Sequence, residues 1–230
     1  MEYLEFERFM SAKRMQRYKD AANNDTRKAM ALYRYNLRLS QEIFTIVSCF
    51  EVALRNAIDS LLVPTLGENW LKDSVQANGV FSNGRMNETR KIIEKAYSRL
   101  NRQGIYSHSK LIAEMEFGVW KYMYSSLQYR ATGQCLLKAF PNKPRSSAAV
   151  QYNNTYIFNE LDKVNSLRNR IAHHEPICFR LHTSEIDTSY IINEYQKIQT
   201  LFSWMGIDSR AMLYGLDHVQ SVCTRINSLK

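Results

Sequence analysis

The 230-residue chain is 45% hydrophobic, enough to bury a proper core, which excludes a disordered polypeptide. Only 8 Gly and 4 Pro punctuate it, too few for the tight turns of a sandwich or barrel, so the composition favours an all-α fold. A formal net charge of +9 points toward RNA or DNA, since basic surface gains from phosphate neutralisation and counterion release, although charge by itself does not single out that partner.

In chain order, residues 1–25 form an amphipathic, increasingly basic arm in which Arg8, Lys13, Arg14, Arg17 and Lys19 interleave with Phe6, Phe9, Met10 and Tyr18. Arg14 and Arg17 make it a candidate RNA-facing arm; a merely solvated helix has the same pattern. Asn24, Asp25 and Thr26 offer an N-cap for a helix through Ala29, Leu32, Tyr33 and Asn36,. From Ser40 to Leu62 a stripe of Ile43, Ile46, Val47, Phe50, Leu54, Ile58 and Leu61 predicts a core helix closed by Pro64 and Gly67,. Within it Glu51 and Arg55 stand four residues apart, placed either to pair or to position a third group.

Residues 72–84 read as a loop, and Asn87 to Leu100 as a helix,. Ser107 caps a helix expected to run through Leu111, Met115, Trp120, Tyr124 and Leu127, with Gly118 marking close approach of another backbone,. A short helix near Gln134 to Phe140 stops at Pro141, and Asn142 to Ser147 is a basic linker whose Lys143 and Arg145 are further candidate RNA contacts. Ile157, Leu161, Val164 and Ile171 then define a clean helical stripe, which must end close to Glu175 because the residue before Pro176 is pushed out of the α region,. Ile186 to Met205 and Asp208 to Leu229 complete a carboxy-terminal pair within 184–230,. A single domain over 1–230 is expected.

Cys49, Cys135, Cys178 and Cys223 are widely spaced and form no Cys-x-x-Cys pair, so neither a zinc cluster nor a redox motif is signalled, and they read as buried thiols in a reducing cytosol. The first residues include Glu2, Glu5 and Glu7 without an apolar signal core, and no stretch approaches the ~20 apolar residues of a membrane span. A soluble cytoplasmic protein without metal or cofactor follows as the expectation.

The segment that draws chemistry is Leu167-Arg168-Asn169-Arg170-Ile171-Ala172-His173-His174-Glu175-Pro176. Asn169 and His173 share a helix face, and Arg168, offset by about 100°, needs its long side chain to reach the same spot. Histidine, with a reference pKa of about 6.5, can take a proton from a ribose 2′-hydroxyl or give one to a departing 5′-oxygen. Arginine offers a planar fork for phosphate. One imidazole cannot serve both sides of an in-line reaction, so His174 or a second subunit has to supply the other proton carrier. By spacing alone the pattern is weak, and a helix end carrying solvated cations near its carboxyl terminus accounts for it.

Several blocks resemble the Abi-like family of abortive-infection proteins, within the HEPN superfamily. Ala31-Leu32-Tyr33-Arg34-Tyr35-Asn36-Leu37-Arg38-Leu39-Ser40 is similar to the family's Leu-Tyr-x-Trp-Asn-x-x-Leu-Ser stretch, with Tyr35 where tryptophan is common. Glu51-Val52-Ala53-Leu54-Arg55-Asn56-Ala57-Ile58, Phe117-Gly118-Val119-Trp120, Ala139-Phe140-Pro141 and Leu167 through Ile177 follow its other blocks. The resemblance implies a HEPN-like helical bundle with additional amino- and carboxy-terminal helices. It implies a metal-independent ribonuclease acting in a dimer cleft, with Arg168 and His173 in the Arg-x-x-x-x-His motif and Asn169 as polar companion. Glu51, Arg55, Asn56, Arg170 and Glu175 stand as supporting residues. A homodimer acting on RNA in phage defence, neutralised by an antitoxin protein or inhibitory RNA, belongs to the same expectation; a non-catalytic module that holds RNA or a nucleotide is the alternative.

Overall fold

The computed structural model describes residues 1–82 and 84–230, and helix dominates it. In order come α1 (Tyr3–Met10), α2 (Ala12–Ala21), α3 (Thr26–Leu66), α4 (Trp70–Asp73), α5 (Asn87–Arg102) and α6 (His108–Glu114). After them come α7 (Phe117–Tyr122), α8 (Ser126–Ala131), α9 (Asn154–Ala172), α10 (Ser189–Trp204), α11 (Ser209–Met212) and α12 (Val219–Asn227). Among the described residues the only β pairing is an isolated bridge between Phe179 and Ile186, so the fold is all-α as composition indicated. No helix is long and apolar enough to cross a membrane among the same residues.

The chain groups into two compact units. One comprises Met1–Ser48, Ser166–Thr200 and Asp208–Lys230; the other comprises Cys49–Asn165 and Leu201–Ile207. In the first, Tyr18 packs edge-on against Tyr33 and against Phe179, each at 5.1 Å between ring centroids, and Phe6 adds to Tyr33 at 5.5 Å. Buried Glu42 accepts from Arg38 Nε at 2.8 Å and from the His218 amide at 3.1 Å. In the second, Phe50 meets Phe202 at 5.2 Å and Phe117 at 6.3 Å. There Asp59 accepts from Trp70 Nε1 at 2.7 Å and lies 2.8 Å from His108 Nε2.

Several elements differ from the sequence-based expectation. The basic arm is two helices, broken at Ser11 with φ 71°, whose hydroxyl then accepts from the Arg14 amide. Two expected helices fuse into the 41-residue α3: no glycine or proline intervenes between Thr26 and Val63, and the buried stripe of Leu32, Leu39, Ile43 and Ile46 stays in phase across Ser40,. Asp25 caps it through Lys28 N at 3.0 Å. It runs through Pro64 before Gly67, at φ 93°, ends it, since a proline this close to the end interrupts only the last intrahelical bonds and the Thr65 hydroxyl serves the Leu62 carbonyl at 3.1 Å,.

The single helix expected from Ser107 to Leu127 is three, α6 to α8. Met115, Phe117, Val119, Trp120, Met123 and Tyr124 are all buried; on one straight helix these positions would spread over about 200° of the circumference, wider than the usual apolar stripe, and the extended Met115, Glu116 and Ser125 re-aim them,. Gly118 does not mark close backbone approach: a β-carbon there would meet nothing within 4 Å. The expected 72–84 loop contains the last residues of α4 and turns up to Ser82, with residue 83 outside the described residues. The carboxy-terminal stretch after Gly206 is likewise two helices, not one.

All four cysteines are free, but only Cys178 and Cys223 are buried, while Cys49 and Cys135 are half-buried, a correction to the uniformly buried thiols expected. Desolvation pushes the Cys178 thiol up to about 12, and only the thiolate attacks disulfides. A disulfide reagent at pH 8 should therefore modify no more than Cys49 and Cys135 in the native protein, and all four after unfolding; rapid native labelling of Cys178 by peptide mapping would contradict this burial.

Candidate functional site

Ile157, Leu161, Val164, Leu167 and Ile171 are buried along α9, which leaves Asn169 exposed and Arg168 half-exposed on its outer side, with His173 and His174 exposed just beyond its end. The helix closes in a Schellman arrangement. The Glu175 amide donates to the Arg170 carbonyl and the His174 amide to the Ile171 carbonyl, both at 2.9 Å. His174 takes the left-handed position at φ 56°, where glycine is the usual residue because a β-carbon crowds the backbone.

Three side chains lock this corner. Arg170 Nε donates to Glu175 Oε2 at 3.2 Å and its Nη2 to the Pro176 carbonyl at 3.2 Å; its guanidinium also lies over the Tyr190 ring, 5.2 Å from the centroid. The ion pair takes the place of the apolar contact that commonly accompanies this motif. From α2, Arg14 Nη1 donates to the His174 carbonyl at 2.9 Å. Asn36 of α3, buried, accepts from the amides of Ile177 at 2.8 Å and Cys178 at 3.2 Å.

On that corner Arg168 Nη1 donates to Asn169 Oδ1 at 3.4 Å, which draws the guanidinium toward the face that Asn169 shares with His173. The His173 amide bonds to the Asn169 carbonyl at 2.9 Å, so both belong to the same last turn. The negative end of the helix dipole favours cations there. The arrangement sets a guanidinium, a carboxamide and two imidazoles at one solvent-facing helix end. Among the described residues no group of three or more His, Cys, Asp or Glu could hold a metal ion.

Of the other residues marked by sequence, Arg14 and Arg17 lie in the same unit. Arg17 Nε donates to the Thr183 carbonyl at 2.6 Å and its Nη2 to the Arg180 carbonyl at 3.0 Å, and it sits over Phe179. Arg14 and Arg17 thus hold the segment that follows the helix end. Glu51, Arg55 and Asn56 belong to the second unit; Glu51 is half-buried and Asn56 exposed, while Arg55 Nε is buried without a hydrogen-bond partner among the described residues. Lys143 and Arg145 lie in the same second unit, in the non-helical stretch before α9.

Sequence reasoning did not foresee the anchoring by Asn36. The signal was there: a carboxamide occupies a place in the otherwise apolar series Leu32, Asn36, Leu39, Ile43, and a buried polar group needs a partner.

The strained corner yields a direct expectation. His174→Gly removes a left-handed β-carbon, so it should raise stability by about 1 kcal/mol, read as a higher denaturant midpoint; a drop in that midpoint would show that the imidazole itself holds the corner.

A family model described as Abi-like protein matches residues 2–178, which takes in α1 through α9 and the corner up to Cys178. No curated protein and no solved structure matches the chain. With the match covering well over half of the 230 residues, the chain belongs to the Abi-like protein family.

Proposed function

We propose that this protein is a metal-independent endoribonuclease of an abortive-infection or toxin–antitoxin system, built on a HEPN-type fold and active in the cytoplasm as a homodimer. The observation that carries the reading is His174: a histidine held left-handed at a helix terminus where glycine would be less strained, next to exposed His173 and Asn169 and an Arg168 that reaches to Asn169. Strain of this kind persists where the side chain has a use. Family membership and the charge of +9 support RNA as the substrate,.

In this mechanism His173 takes the proton of a ribose 2′-hydroxyl, the 2′-oxygen forms a bond to the adjacent phosphorus, and the bond from phosphorus to the 5′-oxygen breaks. A second imidazole protonates the departing 5′-oxygen. His174 serves that role, or the equivalent His173 of a second copy does across a two-fold axis. Arg168 stabilises charge on the non-bridging oxygens and Asn169 orients Arg168. All four groups are solvent-facing or nearly so, so a facing second protomer would also exclude water from the cleft.

The test is incubation of the purified chain with mixed cellular RNA in excess chelator. The expected products carry 2′,3′-cyclic phosphate and 5′-hydroxyl ends, and an all-deoxy version of a cleaved oligonucleotide stays intact because it lacks the nucleophile. Salt-sensitive RNA binding without cleavage would replace the nuclease reading by the non-catalytic one. Loss of cleavage in His174→Gly, with the fold retained, would assign the second proton carrier.

A further inference from the structure

The second compact unit contains a cavity of about 950 Å³, in the size range of ligand sites and far above ordinary packing voids. Glu88, Ile92, Lys95, Arg99 and Arg102 of α5 recur at four- and three-residue spacing, so they share one helix face, and all five border the cavity,. Met115, Gly118, Val119 and Tyr122 border it from the chain that ends α6 and forms α7.

Gly118 is the unexpected member. Its φ is not left-handed, and a β-carbon on it would meet nothing within 4 Å. Glycine inside a helix costs about 0.5–1 kcal/mol relative to alanine, and here neither backbone conformation nor packing calls for it. Its effect is to leave volume open in the cavity it borders.

The lining defines the ligand. Met86, Ile92, Ala96, Met115 and Val119 supply aliphatic surface. The buried polar side chains there, Thr89 and Gln128, are committed: Gln128 Nε2 donates to Thr89 Oγ1 at 2.9 Å, and Gln128 Oε1 accepts from Ser125. That leaves little to recognise the edge of a nucleobase. Of the charges, Arg99 pairs with Glu114, and Glu88 pairs with Lys91 at 3.2 Å. Lys95 and Arg102 carry no ion pair among the described residues; exposed Glu116, just before α7, also borders the cavity.

We propose that this cavity binds an anionic amphiphile, an acyl-type aliphatic chain ending in a phosphate or carboxylate. The chain lies along Ile92, Met115 and Val119 in the space left by Gly118, and the head group meets Lys95 and Arg102. The site lies wholly within the second unit and is independent of the ribonuclease reading.

Calorimetric titration of the full chain tests it, with decyl phosphate and decanoate below their micelle concentrations. Decanol, inorganic phosphate and adenosine monophosphate serve as the chain alone, the head alone and an aromatic anion. Saturable one-to-one binding of the two amphiphiles is expected, at least tenfold tighter than any of the three controls. Gly118→Leu, which occupies the space left beside the aliphatic chain, should weaken binding at least tenfold with unchanged or higher thermal stability. Lys95→Glu, on an exposed position that cannot compromise folding, should do the same for the amphiphiles while sparing decanol. Sedimentation with phosphatidylglycerol vesicles tells a bilayer lipid from a free ligand as the source, and it too should be lost in Gly118→Leu. No saturable binding from either source, or binding indifferent to both substitutions, would overturn the proposal.

Discussion

His173→Ala should lower RNA cleavage in the presence of chelator by about 10²–10⁴-fold, the usual contribution of a positioned proton carrier. Arg168→Ala should cost about 10²–10³-fold, because the lost donor is one aimed at charge that grows on the phosphate oxygens. Arg168→Lys should recover little, since a point charge cannot replace a planar fork that also reaches Asn169 at 3.4 Å,. The fold should survive all three. His173 is exposed and Arg168 half-exposed at the last turn of α9, and neither supplies the anchors of the corner, so stability should stay within roughly 0.5 kcal/mol. Cleavage rates measured on one oligonucleotide, beside thermal melts of each variant, separate chemistry from folding; equal rates in wild type, His173→Ala and Arg168→Ala would remove the assignment.

Asn36→Ala is expected to damage the fold of the first unit severely. One carboxamide oxygen accepts from two buried amides, Ile177 at 2.8 Å and Cys178 at 3.2 Å, and the residue is only 2% exposed. Truncation leaves both donors without a partner and out of reach of water. At about 1–3 kcal/mol for each unsatisfied group, the loss should come to roughly 2–6 kcal/mol, or a fall of about 4–24 °C in melting temperature for a chain of this size. Asn36→Asp keeps the acceptor and should lose less. Because Ile177 and Cys178 directly follow the corner, RNA cleavage should fall in Asn36→Ala even below its melting temperature. A melt of Asn36→Ala that coincides with wild type would mean that these amides find other partners.

Much of this molecule can be read locally. Asp25 before α3, Ser107 before α6 and Pro176 after α9 mark helix ends because capping and chain stopping depend on a few neighbouring residues. The apolar period of α9 places Asn169 and His173 on one outward face for the same reason, and the helix ends at Ala172, three residues before Glu175, where the proline requires an end. The composition sufficed for the all-α class. The resemblance in the quoted blocks anticipated the family that the match over residues 2–178 establishes.

What could not be read locally depends on residues far apart in the chain. Arg14 and His174 are 160 positions apart, and Ile177 lies 141 from Asn36. No periodicity reports such pairs, so the sequence of the arm does not reveal that Arg14 and Arg17 also bind carbonyls of their own chain. The division of the 107–127 stretch into three helices came from the same source: local propensity allows one continuous helix, but its six buried apolar side chains would spread over about 200° of a straight one, wider than a single apolar stripe, and the bends bring them together. Gly118 is the sharpest instance, since the sequence shows a missing side chain and only the packed unit shows that the space it leaves is empty.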